Sequence, residues 1–190
     1  KGVTDSLLEL VSLAERQDDG WRHLLDQLRA RHATIAETLL DAAAARAWLA
    51  GFDRDSHDIV GILRTIRLTR SAARNVADLI AGYGELWSTR LFRDFYDARR
   101  SRRSGEVRWI DARQVVVVEW GPLGPAVQWE ESRRRLRAHA PADFHGTLII
   151  TGFIAADSQR LGQHARRDLP GDAPLVFAPA ARAFLAAIAA

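Results

Sequence analysis

The sequence predicts an α/β fold, with a helical first half and mostly parallel strands in the second half. Three observations predict it. Residues 5–100 carry apolar side chains at helical spacing through most of their length. From residue 107 the pattern changes to short, β-branched runs of the kind buried on both faces of a sheet. A helix-like stretch then separates the second strand from the third, and strand–helix–strand order argues for a parallel sheet.

The first helix is read over 6–16 (SLLELVSLAER), with apolar residues at 7, 10, 11 and 14. Ser6 and Glu9 have capping-box spacing, and Thr4 and Asp5 are alternative N-caps. A second helix starts near Trp21 and carries Leu24, Leu25, Leu28, Ile35 and Leu39. The alanine-rich stretch 42–50 continues helical, and Asp53–His57 reads as a break. Segments 58–68, 71–82 and 86–100 are three further helices, with Gly82 placed to end the second of them. Strands are expected at 107–111, 115–120 and 146–155, with a helix over 128–140. No internal repeat is visible. The stretch 159–190 contains no serine or threonine and is rich in Ala, Arg and Pro; PAARAFLAAIAA within it could form a helix.

Composition narrows the class. With 190 residues and 47% hydrophobic content the chain is globular and long enough for one core. No run approaches the ~18 apolar residues of a membrane span, and KGVTDSLLEL lacks the regions of a signal peptide. Without cysteine there is no disulfide framework and no thiolate metal site, which suits a cytoplasmic location. The chain has no methionine, as expected of a fragment or a processed product. Of its 27 basic residues only Lys1 is lysine, so the pI of 10.1 reflects arginine coding bias more than a selected chemistry.

Several function classes are disfavoured by the residues. The arginine groups at 99–103 and 133–137 lack interleaved aromatic platforms, and the second shares its helix with Glu130 and Glu131. They read as solvated faces, not a nucleic-acid surface. The six histidines show no metal-ligand spacing, and no GxSxG, CxxC or GxxxxGK[ST] motif occurs. Two short segments remain. Gly2, Thr4 and the free N–H groups of a helix start could hold a carboxylate or phosphate, or could simply be capped. The segment AGYGELWSTRLF (81–92) sets Glu85 after Gly82, Tyr83 and Gly84. Glu85 either complements a helix macrodipole, worth about 0.3–1 kcal/mol, or faces a cleft as the partner of a cationic ligand group. Together the two segments would complement an amino acid zwitterion.

The order of these segments is that of a known family. KGVTDSLLEL resembles the aspartokinase turn Gly-Val-Thr-Asp/Asn with its following helix. RNVADLIAGYGELWSTRLF resembles the family's Gly-Glu-x-x-Ser helix start, here Gly84, Glu85 and Ser88, with Tyr83 where many relatives carry histidine. RWIDARQVVVVEWGPLGPAVQWEESRRRL and LIITGFIAADS are similar to the stretches that follow. The likeness covers residues 1–158 and is nearest to the kinase part of fused aspartokinase–homoserine dehydrogenase enzymes. A fusion with diaminopimelate decarboxylase is the second option.

The resemblance implies a partial three-layer αβα sandwich of the amino acid kinase type. It also implies transfer of the γ-phosphoryl of ATP, with Mg2+, to the β-carboxylate of L-aspartate. That is the first step toward lysine, threonine and methionine. By this likeness Thr4 helps hold aspartate and Glu85 binds its α-ammonium. Gly2, Gly82, Tyr83, Gly84 and Ser88 form the supporting turns. Implied partners are L-aspartate, further copies in a homo-oligomer and a fused homoserine dehydrogenase; nucleic acid and membrane are not expected.

The sequence also departs from the family. Members carry a Lys-Phe-Gly-Gly-Thr-Ser loop before the first matched segment and a Gly-Arg-x-Gly-Ser-Asp loop after the Thr-Gly-Phe strand. Neither is among these residues, which read DSQRLGQHARRDLPGDAPLVF at the second place. Both serve the phosphate side, where positioning and electrostatics supply most of the rate. The expectation is therefore a partial catalytic domain over 1–158, with no catalytic residue retained and no activity alone. The divergent tail 159–190 is what a reading frame slipped near Ser158–Arg160 would give. The alternatives are a genuine tail on a degenerate amino acid-binding homologue, and a non-catalytic helical interaction module over residues 5–100.

Overall fold

The computed structural model describes residues 2–100, 105–122, 124–158 and 175–177. The chain divides into two compact units, Lys1–Arg100 and Ser101–Ala190.

The first unit is four helices around one core. α1 (Val3–Glu15) buries Leu7, Leu10, Val11 and Ala14, the apolar stripe expected from their spacing. Its N-cap is Gly2, held at φ 86°, a left-handed conformation that glycine adopts without strain. The Ser6–Glu9 capping box does not form. Ser6 instead donates its hydroxyl to Gly2 O at 3.0 Å. α2 (Gly20–Leu39) buries Trp21, Leu25, Leu28, His32 and Ala36.

α3 (Ala42–Thr69) is continuous, so the break expected at Asp53–His57 is not there. Asp41 caps its start, accepting from Ala43 N at 2.9 Å and Ala44 N at 2.8 Å. Trp48, Phe52, Ile59, Leu63 and Ile66 keep one buried stripe running through the charged stretch. The acids that suggested a break are bound from neighbouring helices. Asp53 takes a two-point hydrogen bond from Arg29, and Asp55 accepts from Trp87 and Arg90.

α4 (Arg74–Arg99) is also one helix, which corrects the sequence reading at its centre. Gly82 does not end a helix, and Gly82–Tyr83–Gly84 is not a tight turn. Two helical glycines cost roughly 1 kcal/mol each against alanine. Burial of Leu86, Trp87 and Leu91 outweighs this, at about 1.5–3 kcal/mol for each large side chain. Gly84 is also where α4 meets α1, with room for no more than a methyl group. The core is aromatic where α2, α3 and α4 converge: Trp87 lies 4.1 Å from Phe52 and 5.4 Å from His32 between ring centroids.

The second unit carries the strands. β1 (Glu106–Ile110) pairs in parallel with β4 (Gly146–Ile150), with Glu106 opposite Gly146 and Ile110 opposite Ile150. A one-turn helix, α5 (Ala112–Val115), follows β1, with Asp111 accepting from Arg113 N at 3.0 Å. β2 (Val117–Gly121) turns back as β3 (Gly124–Val127), an antiparallel hairpin that strand periodicity did not reveal. Gly124 at φ 109° makes its tight return. α6 (Trp129–His139) buries Ser132, whose Oγ accepts from Val117 N at 2.9 Å.

The long run 146–155 is not one strand. Thr151–Phe153 interrupts it, with Phe153 at φ 56°, and the chain passes from β4 into β5 (Ile154–Asp157). β5 lies in a different sheet, parallel to β2 and antiparallel to β6 (Leu175–Phe177), giving the order β3-β2-β5-β6. Thr151 fixes the crossing by accepting from Ala112 N at 2.7 Å through its hydroxyl. The α/β class holds, with parallel β1–β4 and β2–β5 pairings. The helix expected in PAARAFLAAIAA lies outside the described residues.

Candidate functional site

Glu85 and Thr4 both belong to the helical unit. Thr4 sits in the first turn of α1, whose N-cap, Gly2, has no side chain to bond the N–H groups of that turn. Glu85 sits in the middle of α4, half-buried. The two elements touch immediately beside these residues. A Cβ placed on Gly84 would lie 3.4 Å from Val3 Cγ1 and 3.5 Å from Leu7 Cδ1. The contact is therefore between the neighbours of Thr4 and Glu85 in sequence. It brings the start of α1 onto the segment of α4 that holds the carboxylate.

The electrostatics of Glu85 are unusual for a helix acid. Burial alone pushes its carboxyl above the usual range, and no cation offsets the effect. Among the described residues its carboxylate forms no ion pair. A desolvated carboxylate without a counter-charge is unfavourable in the unliganded protein and is relieved by a bound cation. Two turns earlier on the same stripe, Asp78 is also raised by burial, partly offset by Arg74. Ser88 and Thr89 donate their hydroxyls to Glu85 O at 3.2 and 2.7 Å. These are bonds to backbone, so Ser88 stabilises the helix around Glu85 without touching its carboxylate.

The other expected supporting residues are placed as follows. Gly2 caps α1. Gly82 is buried within α4, and Tyr83 lies 5.9 Å from the Trp87 ring. Between α3 and α4 lies a polar cluster that sequence reasoning missed. Asp55 of α3 accepts from Trp87 Nε1 at 3.0 Å and from Arg90 Nη1 at 2.6 Å. Its only signal was an aspartate persisting inside a helical stripe. Among the described residues no three of His, Asp and Glu come together as a metal-binding group. No helix there is long and apolar enough to cross a membrane.

Comparison with known proteins gives the class. No protein-family model matches the chain. Its fold is that of E. coli aspartokinase III: the structure in complex with aspartate and ADP superposes with a TM-score of 0.63 and 24% identity, covering 84% of this chain and 33% of that one. The lysine and aspartate complex gives 0.65 and 22%, covering 84% and 34%. The chain thus has the α/β fold of these aspartokinase structures, in keeping with the resemblance of its motifs.

Its curated relatives are more particular. It is 31% identical over 170 residues to the bifunctional aspartokinase/homoserine dehydrogenase 1, chloroplastic, of Arabidopsis thaliana. It is 30% identical over 169 residues to the corresponding bifunctional enzyme of Daucus carota. Each match covers 87% of this chain, which spans only 18% of the length of the relative. The chain therefore aligns with both the aspartokinase III structures and these fusions over most of its length.

Proposed function

We propose that this chain forms the aspartate-binding part of an aspartokinase catalytic domain, within residues 1–158. The supporting observation is the half-buried Glu85 carboxylate, raised by burial and uncompensated, beside the contact of α4 with the start of α1. In this reading Glu85 takes the α-ammonium of L-aspartate. Thr4 and the first-turn N–H groups of α1 face one of its carboxylates. The full enzyme transfers the γ-phosphoryl of ATP to the β-carboxylate of L-aspartate, giving 4-phospho-L-aspartate and ADP. The 190 residues include neither phosphate-side loop. No transfer step is therefore assigned to side chains here, and the chain alone binds aspartate without turnover.

Fusion to homoserine dehydrogenase, a homo-oligomeric state and a cytoplasmic location belong to the same proposal, although the plant relatives are named chloroplastic. Calorimetric titration with L-aspartate tests it. Saturable binding lost in Glu85→Gln supports the reading, and no binding by the wild-type chain sinks it. Aspartyl hydroxamate formed from ATP and aspartate by this chain would overturn the inactive part.

A second reading has one observation in its favour. Residues Lys1–Arg100 form a compact unit with its own core, as a non-catalytic helical interaction module would. That reading requires a stable oligomer or heterocomplex without aspartate binding. A degenerate homologue that keeps only an amino acid pocket would instead bind aspartate but fail to regain turnover when both loops are restored.

A further inference from the structure

Arginine exceeds acid in one cavity of the helical unit, away from Thr4 and Glu85. The cavity, about 320 Å3, lies between α3 and α4 against the indoles of Trp48 and Trp87. That is the lower end of the range for small-molecule sites. Arg54, Arg90 and Arg93 line it together with Asp55 and Asp94. Three guanidinium groups against two carboxylates leave one positive charge.

The pairing inside the wall shows which cations are committed. Asp55 holds Arg90 at 2.6 Å and also accepts from Trp87, so this pair is internally neutralised. Arg93 Nε stands 2.9 Å from Asp94 Oδ1, yet that buried N–H donates no hydrogen bond, so the pair is misaligned. Arg54 is exposed and forms no hydrogen bond or ion pair among the described residues. The guanidinium groups of Arg54 and Arg93 line the cavity, and a planar oxyanion is the group whose geometry matches them.

We propose that this cavity binds a small monoanionic carboxylate, its oxygens held by Arg54 and Arg93 and its apolar part against Trp48 and Trp87. One ligand charge cancels the one unpaired cation. The indole walls favour a carboxylate with an apolar body over a fully hydrated anion. Neither Thr4 nor Glu85 lines the cavity, so the inference stands or falls separately from the aspartate reading.

The test is titration of the full chain with sodium benzoate, followed by calorimetry and by tryptophan fluorescence. Saturable binding at one site is expected, with a dissociation constant of about 1 mM or tighter. Arg54→Gln and Arg93→Gln should each weaken it tenfold or more. Arg16→Gln, at an exposed ion pair on α1, should leave it unchanged. Arg54 is exposed, so its variant should fold, which circular dichroism verifies. Absence of saturation by benzoate, or full binding by folded Arg54→Gln, overturns the proposal. Equal binding of inorganic phosphate that the same variants abolish would overturn the carboxylate class.

Discussion

Gly84 of α4 packs against Val3 of α1 so closely that a Cβ at position 84 would stand 3.4 Å from Val3 Cγ1. The helices meet backbone to side chain there, and Glu85 follows directly. That separation allows one methyl group and nothing larger.

Gly84→Ala should therefore keep the packing and gain helix propensity, raising stability by roughly 0.5–1 kcal/mol. Gly84→Val should force the helices apart and cost about 1–3 kcal/mol. Urea unfolding of both variants gives the answer. If Ala destabilises as much as Val, the stated room at position 84 is wrong.

Glu85→Gln should raise the melting temperature of the unliganded chain at neutral pH while removing aspartate affinity. Burial raises this carboxyl, so the folded state holds its proton to higher pH than the unfolded chain does. Its unfavourable contribution thus grows as pH climbs from the ordinary carboxylate range through the raised value. Each kcal/mol recovered should move the melting temperature by about 2–4 °C in a chain of this size. A lower melting temperature in Glu85→Gln would mean that the carboxylate has a structural partner.

His32 should make the helical unit acid-sensitive. It is buried beside Trp48, Phe52 and Trp87, with Nδ1 2.7 Å from Leu28 O, and burial lowers its pKa. A lowered folded value means the unfolded chain takes up the proton first. Stability is full above the ordinary value of 6.5 and declines as pH falls from there toward the lowered value. Denaturant midpoints measured across that window should slope in the wild type and be flatter in His32→Phe. Equal slopes would show that another group carries the dependence.

Ser132→Ala should cost about 1–3 kcal/mol, because it strands the buried Val117 N–H that Ser132 Oγ now accepts at 2.9 Å. Faster hydrogen exchange at Val117 in the variant would locate the loss. Unchanged exchange there would show that a water or another acceptor replaces the hydroxyl.

Sequence periodicity was enough to find the helices, because Leu7, Leu10, Val11 and Ala14 in α1 and Leu25 and Leu28 in α2 announce their buried faces. Motif order was enough to assign the homology. The interruptions were read wrongly for one physical reason: local residue preference was taken to outweigh burial. At Asp53–His57 the charges are solvent-facing or bound by Arg29, Trp87 and Arg90, none of which is local in sequence. At Gly82–Gly84 the helix persists because burial of Leu86 and Trp87 anchors it.

By itself the sequence determined the α/β class and the helical and strand halves. Each rests on a period or a motif carried within a few turns of chain. Only the tertiary structure decided that 146–155 divides between two sheets, that the GPLGPAV segment forms a hairpin edge, and that Glu85 is desolvated without a counter-charge. Those outcomes depend on which distant groups remove water from a side chain or complete a hydrogen-bond ladder, and no local pattern encodes them.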